Sequence, residues 1–103
     1  MSAALRPKTQ IRPMLPSDLR AVSTIERSSY QFPWSSGIFR DCLLAGYQCL
    51  VSEVAGTLVG YGIMSIAAGE AHLLNLCIHP SMHRRGHGRK LLTALLAQAE
   101  ERG

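Results

Sequence analysis

The sequence predicts an α/β fold of the α+β kind, a mixed and mostly antiparallel sheet flanked by helices in the order β-α-α-β-β-β-α. Apolar residues at helical spacing stand near both ends of the chain, and three strand-like runs follow one another in its middle. Turn signals of hairpin length separate those runs. At 103 residues the chain, residues 1–103, is read as a single domain, enough for one core.

The elements follow in order. Residues 1–9 read as a flexible basic leader. Gln10–Leu15 is a short strand whose Pro13 favours an edge position. Pro16-Ser17-Asp18 opens a helix, with Ser17 able to cap it and Asp18 at the positive end of its dipole. Leu19, Val22 and Ile25 give that helix a buried face. Pro33 biases Phe32 away from helix, and Ser35 or Ser36 then caps a second helix carrying Phe39, Cys42 and Leu43. Two strands, YQCLVSEV and TLVGYGIMSI, are joined by Ala55-Gly56, and AAGE turns the chain into AHLLNLCIH. That third run is apolar on both alternating faces, which predicts cover on both. A helix from about Gly88 to Arg102 closes the chain, burying Leu91, Leu92, Leu95, Leu96 and Ala99, with Gly103 placed as a C-terminal cap.

Composition narrows the function classes. The net charge of +4 favours acidic partners, whether nucleic acid, a ribosome surface or a phosphorylated cofactor. The three cysteines are odd in number and form no CxxC, which argues against a disulfide framework and for a reducing, cytoplasmic setting. The first residues lack the apolar core of a secretory signal, and no apolar run approaches the ~20 residues of a membrane span.

The chemistry is concentrated in HRRGHGRKLLTALL, His83–Leu96. A strand, a loop with Gly86-x-Gly88 and an immediate helix aim backbone N–H groups and a positive dipole end at one spot, which suits anionic oxygens. Arg84, Arg85, Arg89 and Lys90 surround that spot with positive charge. The loop is not a P-loop, because GxxxxGK[ST] is absent, nor a full dinucleotide fingerprint, because Leu91 holds the third glycine position. A tight turn with solvated arginines stays open as the plainer reading.

The stretch Asn75–Leu92, NLCIHPSMHRRGHGRKLL, resembles the central motif of the GNAT acetyltransferase superfamily: a strand ending in an apolar residue, any residue and Pro, then [Q/R]-x-x-G-x-[G/A] opening a long helix. GTLVGYGIM is similar to the family's second hairpin. IERSSYQFPWS, with Phe39 and Leu43, resembles the ribosomal-protein alanine N-acetyltransferase branch. The resemblance implies acetyl-CoA as acetyl donor and a protein N-terminal peptide, of a ribosomal protein in that branch, as acceptor. It implies that backbone groups of Leu76, Cys77 and Ile78 pair with the pantetheine arm. The pyrophosphate would then lie on the N–H groups of Arg84, Arg85, Gly86, His87, Gly88 and Arg89. Phe32, Pro33, Trp34 and Ser35 would shape the peptide site, with core packing by Trp34 and capping by Ser35 as the plainer alternative.

Two departures from the family pattern limit what is carried over. His83 stands where the family has Gln or Arg, and its charge state near neutral pH would make donor affinity pH-sensitive. The family continues into further strands and a helix that supply its general-base glutamate, its thiolate-protonating tyrosine and a cofactor-contacting asparagine. No position here corresponds to them, so no catalytic residue is assigned and this chain alone is expected only to bind the donor. Glu53 and Glu70 read as solvated carboxylates rather than bases. The open edge of the third strand run is expected to promote self-association. Three alternatives remain: a non-catalytic or partner-completed half-domain, an RNA- or ribosome-binding module using the basic cluster, and a metal site from Cys77, His79, His83 and His87. No aromatic residues interleave the basic cluster, so direct nucleic-acid binding is not expected, nor is a membrane partner.

Overall fold

Residues 8–102 are described by a computed structural model. Strand β1 (Thr9–Pro13) leads through a 3-10 turn (Pro16–Asp18) into helices α1 (Leu19–Ser29) and α2 (Ser36–Leu44). Strands β2 (Gln48–Val54), β3 (Thr57–Ala67) and β4 (Glu70–Ile78) follow, then a 3-10 turn (Pro80–Met82) and helix α3 (His87–Arg102). The element order is the expected one. The sheet is antiparallel throughout, with spatial order β1-β2-β3-β4.

Both hairpins turn on an Ala-Gly pair at positive φ, 51° and 83° at Ala55-Gly56 and 53° and 78° at Ala68-Gly69. Paired positive φ matches the right-handed twist of the flanking strands, so two-residue loops suffice. Helices cover both faces of the sheet. On one face Val22 and Ile25 of α1 and Phe39 of α2 pack on Val51, Tyr61, Ile63 and Cys77. On the other Leu91 and Leu95 of α3 pack on Leu50 and Met64. Full burial of Leu91 and Leu95 contributes roughly 1.5–3 kcal/mol each.

Several expectations are corrected. Thr9 pairs with Val54 and so belongs to β1, while residues 1–7 and the Gly103 cap lie outside the described residues. Asp18, not Ser17, ties the start of α1: its Oδ2 accepts from the Leu15 N–H at 2.7 Å, and both its oxygens accept from the Arg12 guanidinium at 2.8 and 2.9 Å. A charge-assisted pair arriving from β1 outcompetes a local hydroxyl. Leu96 is exposed, because the stripe seated on the sheet is centred on Leu91 and Leu95 and one further residue turns about 100° away. The first half of β4 is not covered on both faces. It is the sheet's edge, and Leu73 and Leu74 stay 46% and 40% exposed. No described helix is long and apolar enough to cross a membrane.

Candidate functional site

The site is built around the end of β4. Gly60 and Gly62 of β3 lie opposite Ile78 and Leu76. A Cβ at Gly60 would stand 2.9 Å from the Cys77 carbonyl oxygen, and one at Gly62 would stand 2.6 Å from Leu95 Cδ1. Side-chain-free backbone on β3 thus lets β4 and α3 settle close together. The His79 N–H donates to the Val59 carbonyl at 2.8 Å, so by strand alternation Cys77 turns its backbone to β3 while Leu76 and Ile78 turn theirs outward. Both outward carbonyls meet a side chain of this chain. The Ile78 oxygen accepts from His83 Nε2 at 2.8 Å, and the Leu76 oxygen lies 3.5 Å from the Tyr30 hydroxyl.

Beyond Ile78 the loop enters α3 through two residues at positive φ, Arg84 at 65° and Gly86 at 82°. The Gly86 carbonyl accepts from the Lys90 N–H at 3.1 Å, which starts the helix. Among the described residues, nothing accepts from the backbone N–H groups of Arg84 through Arg89. Four of these residues, Arg84, Gly86, His87 and Gly88, line a cavity of about 250 Å³ together with Leu76, Ile78, Met82 and His83, and no acidic residue lines it. Free N–H groups, a positive helix end and a wall without carboxylates fit a polyanionic group. A Cβ at Gly88 would only touch Ile78, at 3.7 Å, which agrees with a position that accepts glycine or alanine. The side chains of Arg84, Arg85, Arg89 and Lys90 are exposed around the cradle.

The histidines do not converge. His79 Nδ1 accepts from the Ser81 N–H at 3.1 Å, His83 turns back to Ile78, and His87 is buried with Nδ1 lacking a partner. Among the described residues no three His, Cys, Asp or Glu side chains are grouped for a metal ion. The Cys49 thiol is pushed up to about 12 by burial, and Cys42 is raised for the same reason, so both behave as packing groups.

On the α1 side of β4 a second, larger cavity of about 630 Å³ is lined by Tyr30, Gln31, Phe32 and Trp34 and by Leu73–Leu76. Phe32 is 85% exposed and Pro33 is exposed as well. Trp34 is half-buried, its ring 5.3 Å from that of Phe39, and the Ser35 hydroxyl caps α2 by accepting from the Ile38 N–H. The floor of the cavity holds Glu26, which sequence reasoning did not single out. The residue is 2% exposed, and its carboxylate accepts from the Tyr61 hydroxyl, from Asn75 Nδ2 at 3.0 Å and from the Trp34 N–H at 2.8 Å. Burial, followed by that bond to Glu26 and contact with Cys77, raises the Tyr61 hydroxyl far above the ordinary tyrosine value. One signal was available: Glu26 stands four residues after Val22 and next to Ile25, on the apolar stripe of α1. Glu53 is not a solvated carboxylate, since it lies 3.3 Å from the Arg12 guanidinium. Glu70 is exposed and pairs with His72 at 3.0 Å. Leu76 lines both cavities, so the anion cradle and the carboxylate-floored groove meet across one residue at the edge of β4.

Comparison with known proteins agrees with this geometry. The profile of the acetyltransferase (GNAT) family matches residues 18–103. A [ribosomal protein bS18]-alanine N-acetyltransferase of Haemophilus ducreyi is 30% identical over 93 residues, covering 90% of this chain and 64% of the relative. The crystal structure of the ribosomal-protein-S18-alanine N-acetyltransferase from Escherichia coli superposes with a TM-score of 0.87 at 30% identity, over 93% of this chain and 62% of that one. The PaiA N-acetyltransferase from Thermoplasma acidophilum, solved in complex with coenzyme A, shares the fold with a TM-score of 0.85 at 19% identity, over 93% of this chain and 74% of that one. This chain spans a little over 60% of the two ribosomal-protein acetyltransferases it matches.

Proposed function

Since this chain belongs to the GNAT acetyltransferase family, we propose that it holds acetyl-CoA along the edge of β4 and the entry to α3, in an acetyl transfer to a protein's N-terminal amine. The observation that carries the reading is the meeting of two unlike cavities at Leu76, one built for an anion and one apolar with a carboxylate floor. A bimolecular transfer needs donor and acceptor sites that touch, and here a single residue separates them.

The residues fit the donor's chemistry. Backbone N–H groups of Arg84, Arg85, Gly86, His87, Gly88 and Arg89 have no protein partner among the described residues, and at this loop and helix entry they would bind a pyrophosphate. The outward backbone of Leu76 and Ile78 would orient an amide-rich arm, taking over the contacts now made by Tyr30 and His83, while Cys77 supports that edge through its bonds to β3. When bound, acetyl-CoA supplies the activated thioester. Phe32 and Trp34 line the cavity and would form a wall of the acceptor groove, with exposed Pro33 between them and Ser35 fixing the start of α2 behind them. The names of the relatives suggest an N-terminal alanine of a ribosomal protein as the acceptor.

Calorimetric titration with acetyl-CoA, repeated with a CoA analogue lacking the 3′-phosphate, tests the donor site. Binding of both is expected, with the analogue weaker by about tenfold as one charged contact to the flanking arginines is lost. Strongly salt-dependent RNA binding together with indifference to both ligands would replace this reading with a nucleic-acid module.

A further inference from the structure

Midway between α1 and α2 the backbone is tied by one side chain. Gln31, Phe32 and Trp34 have backbone N–H groups and Pro33 has none. Among the described residues, the bond from the Trp34 N–H to Glu26 Oε2 at 2.8 Å is the one these groups make to protein. The same carboxylate is fixed at Oε1 by Tyr61 of β3 and Asn75 of β4. Glu26 therefore joins α1, the loop wall and two strands at the floor of the acceptor groove. No described Lys or Arg lies within salt-bridge distance of it, so its three hydrogen bonds alone support the buried carboxylate.

We propose that Glu26 is a positioning residue for the acceptor: it latches the Phe32–Trp34 loop to Asn75 of β4 and so sets the mouth of the groove that receives the peptide's first residue. This rests on the acceptor site proposed above. The latch is geometric rather than ionic. A glutamine at 26 can keep its carbonyl on the Trp34 N–H, because the Tyr61 hydroxyl rotates and the Asn75 amide turns over to accept from the new NH₂ group. Alanine leaves the Trp34 N–H and the Tyr61 hydroxyl without partners.

Three measurements on the full chain test the latch. In the unmodified protein, amide exchange at Trp34 is expected to be slower than at Phe32 by roughly ten- to a hundredfold once corrected for intrinsic rates. Glu26→Ala is expected to erase that difference. It should also weaken binding of a synthetic peptide with a free N-terminal alanine by about tenfold, read by fluorescence of Trp34, the only tryptophan. Glu26→Gln is expected to restore both, and acetyl-CoA affinity by calorimetry should stay within about twofold for each variant that folds. Trp34 exchanging as fast as Phe32 in the unmodified protein overturns the proposal, as does a peptide that does not bind it. So does Glu26→Gln losing the peptide while Trp34 stays protected, since the charge and not the latch would then be required. If Glu26→Ala does not fold, the unmodified protein and Glu26→Gln decide. Loss of acetyl-CoA binding by the unmodified protein would instead remove the donor reading and leave the exchange result standing.

Discussion

Asp18 shows how one residue sets both a helix start and a pH response. The Arg12 guanidinium holds its carboxyl below the ordinary aspartate value of 3.8, the bond outweighing the opposing effect of burial, and the Leu15 N–H adds to the shift. A folded-state value below the unfolded one means that the deprotonated form carries the stabilisation. That stabilisation is complete above the unfolded value of about 3.8 and is lost as pH falls through the lowered folded value. Urea denaturation followed from pH 6 downward should therefore show a loss of stability beginning near pH 4, and Asp18→Asn should flatten that part of the profile. An unchanged profile in the variant would move the acid sensitivity to other carboxylates. Arg12 also reaches Glu53 at 3.3 Å, so one guanidinium bridges β1, β2 and the turn before α1.

Among the elements, β3 is the one that needs glycine at two positions, 60 and 62. A Cβ at Gly60 meets a backbone oxygen of β4, which can move only if the strand moves, whereas a Cβ at Gly62 meets the ends of Leu95 and Leu76. Gly60→Ala is accordingly expected to destabilise the fold by about 1–3 kcal/mol, and Gly62→Ala by less, since leucine tips adjust. Chemical denaturation of both variants gives the order, and the reverse order would place the tight contact at α3. Much of this architecture was readable from local chemistry: the Ala-Gly hairpins, the Ser35 cap, the helical stripes and the glycine loop before α3 are each written in neighbouring residues. The Glu26 network was not, because its partners stand 8, 35 and 49 residues away and only the folded sheet brings them together. The exposure of Leu73, Leu74 and Leu96 escaped for a related reason. Apolar character predicts cover, but which strand ends the sheet, and how wide a stripe it accepts, are tertiary outcomes.

At the scale of the whole molecule the sheet has two edges of different character. β1 ends in Pro13, which donates no ladder hydrogen bond. β4 offers its first half openly, with Leu73 and Leu74 exposed beside Phe32 and Tyr30. An apolar strand edge of this kind is a template for pairing with a second copy, which a net charge of +4 would oppose only weakly. Sedimentation velocity is expected to show a coefficient that rises with concentration, and Leu74→Lys is expected to return the chain to a monomer. A sharp monomer at all concentrations would show that the edge is adequately guarded. The strand order has a further consequence for how the chain is closed into this shape. β2, β3 and β4 are joined by two-residue turns, so each meets its neighbour with almost no slack chain to confine. β1 reaches β2 only across residues 14–47, and gathering that span costs roughly 2–3 kcal/mol more chain entropy than either hairpin. The entropic burden of finishing the sheet is thus concentrated at one seam, the β1–β2 ladder, and the span that bears it carries Glu26 and the loop that Glu26 holds.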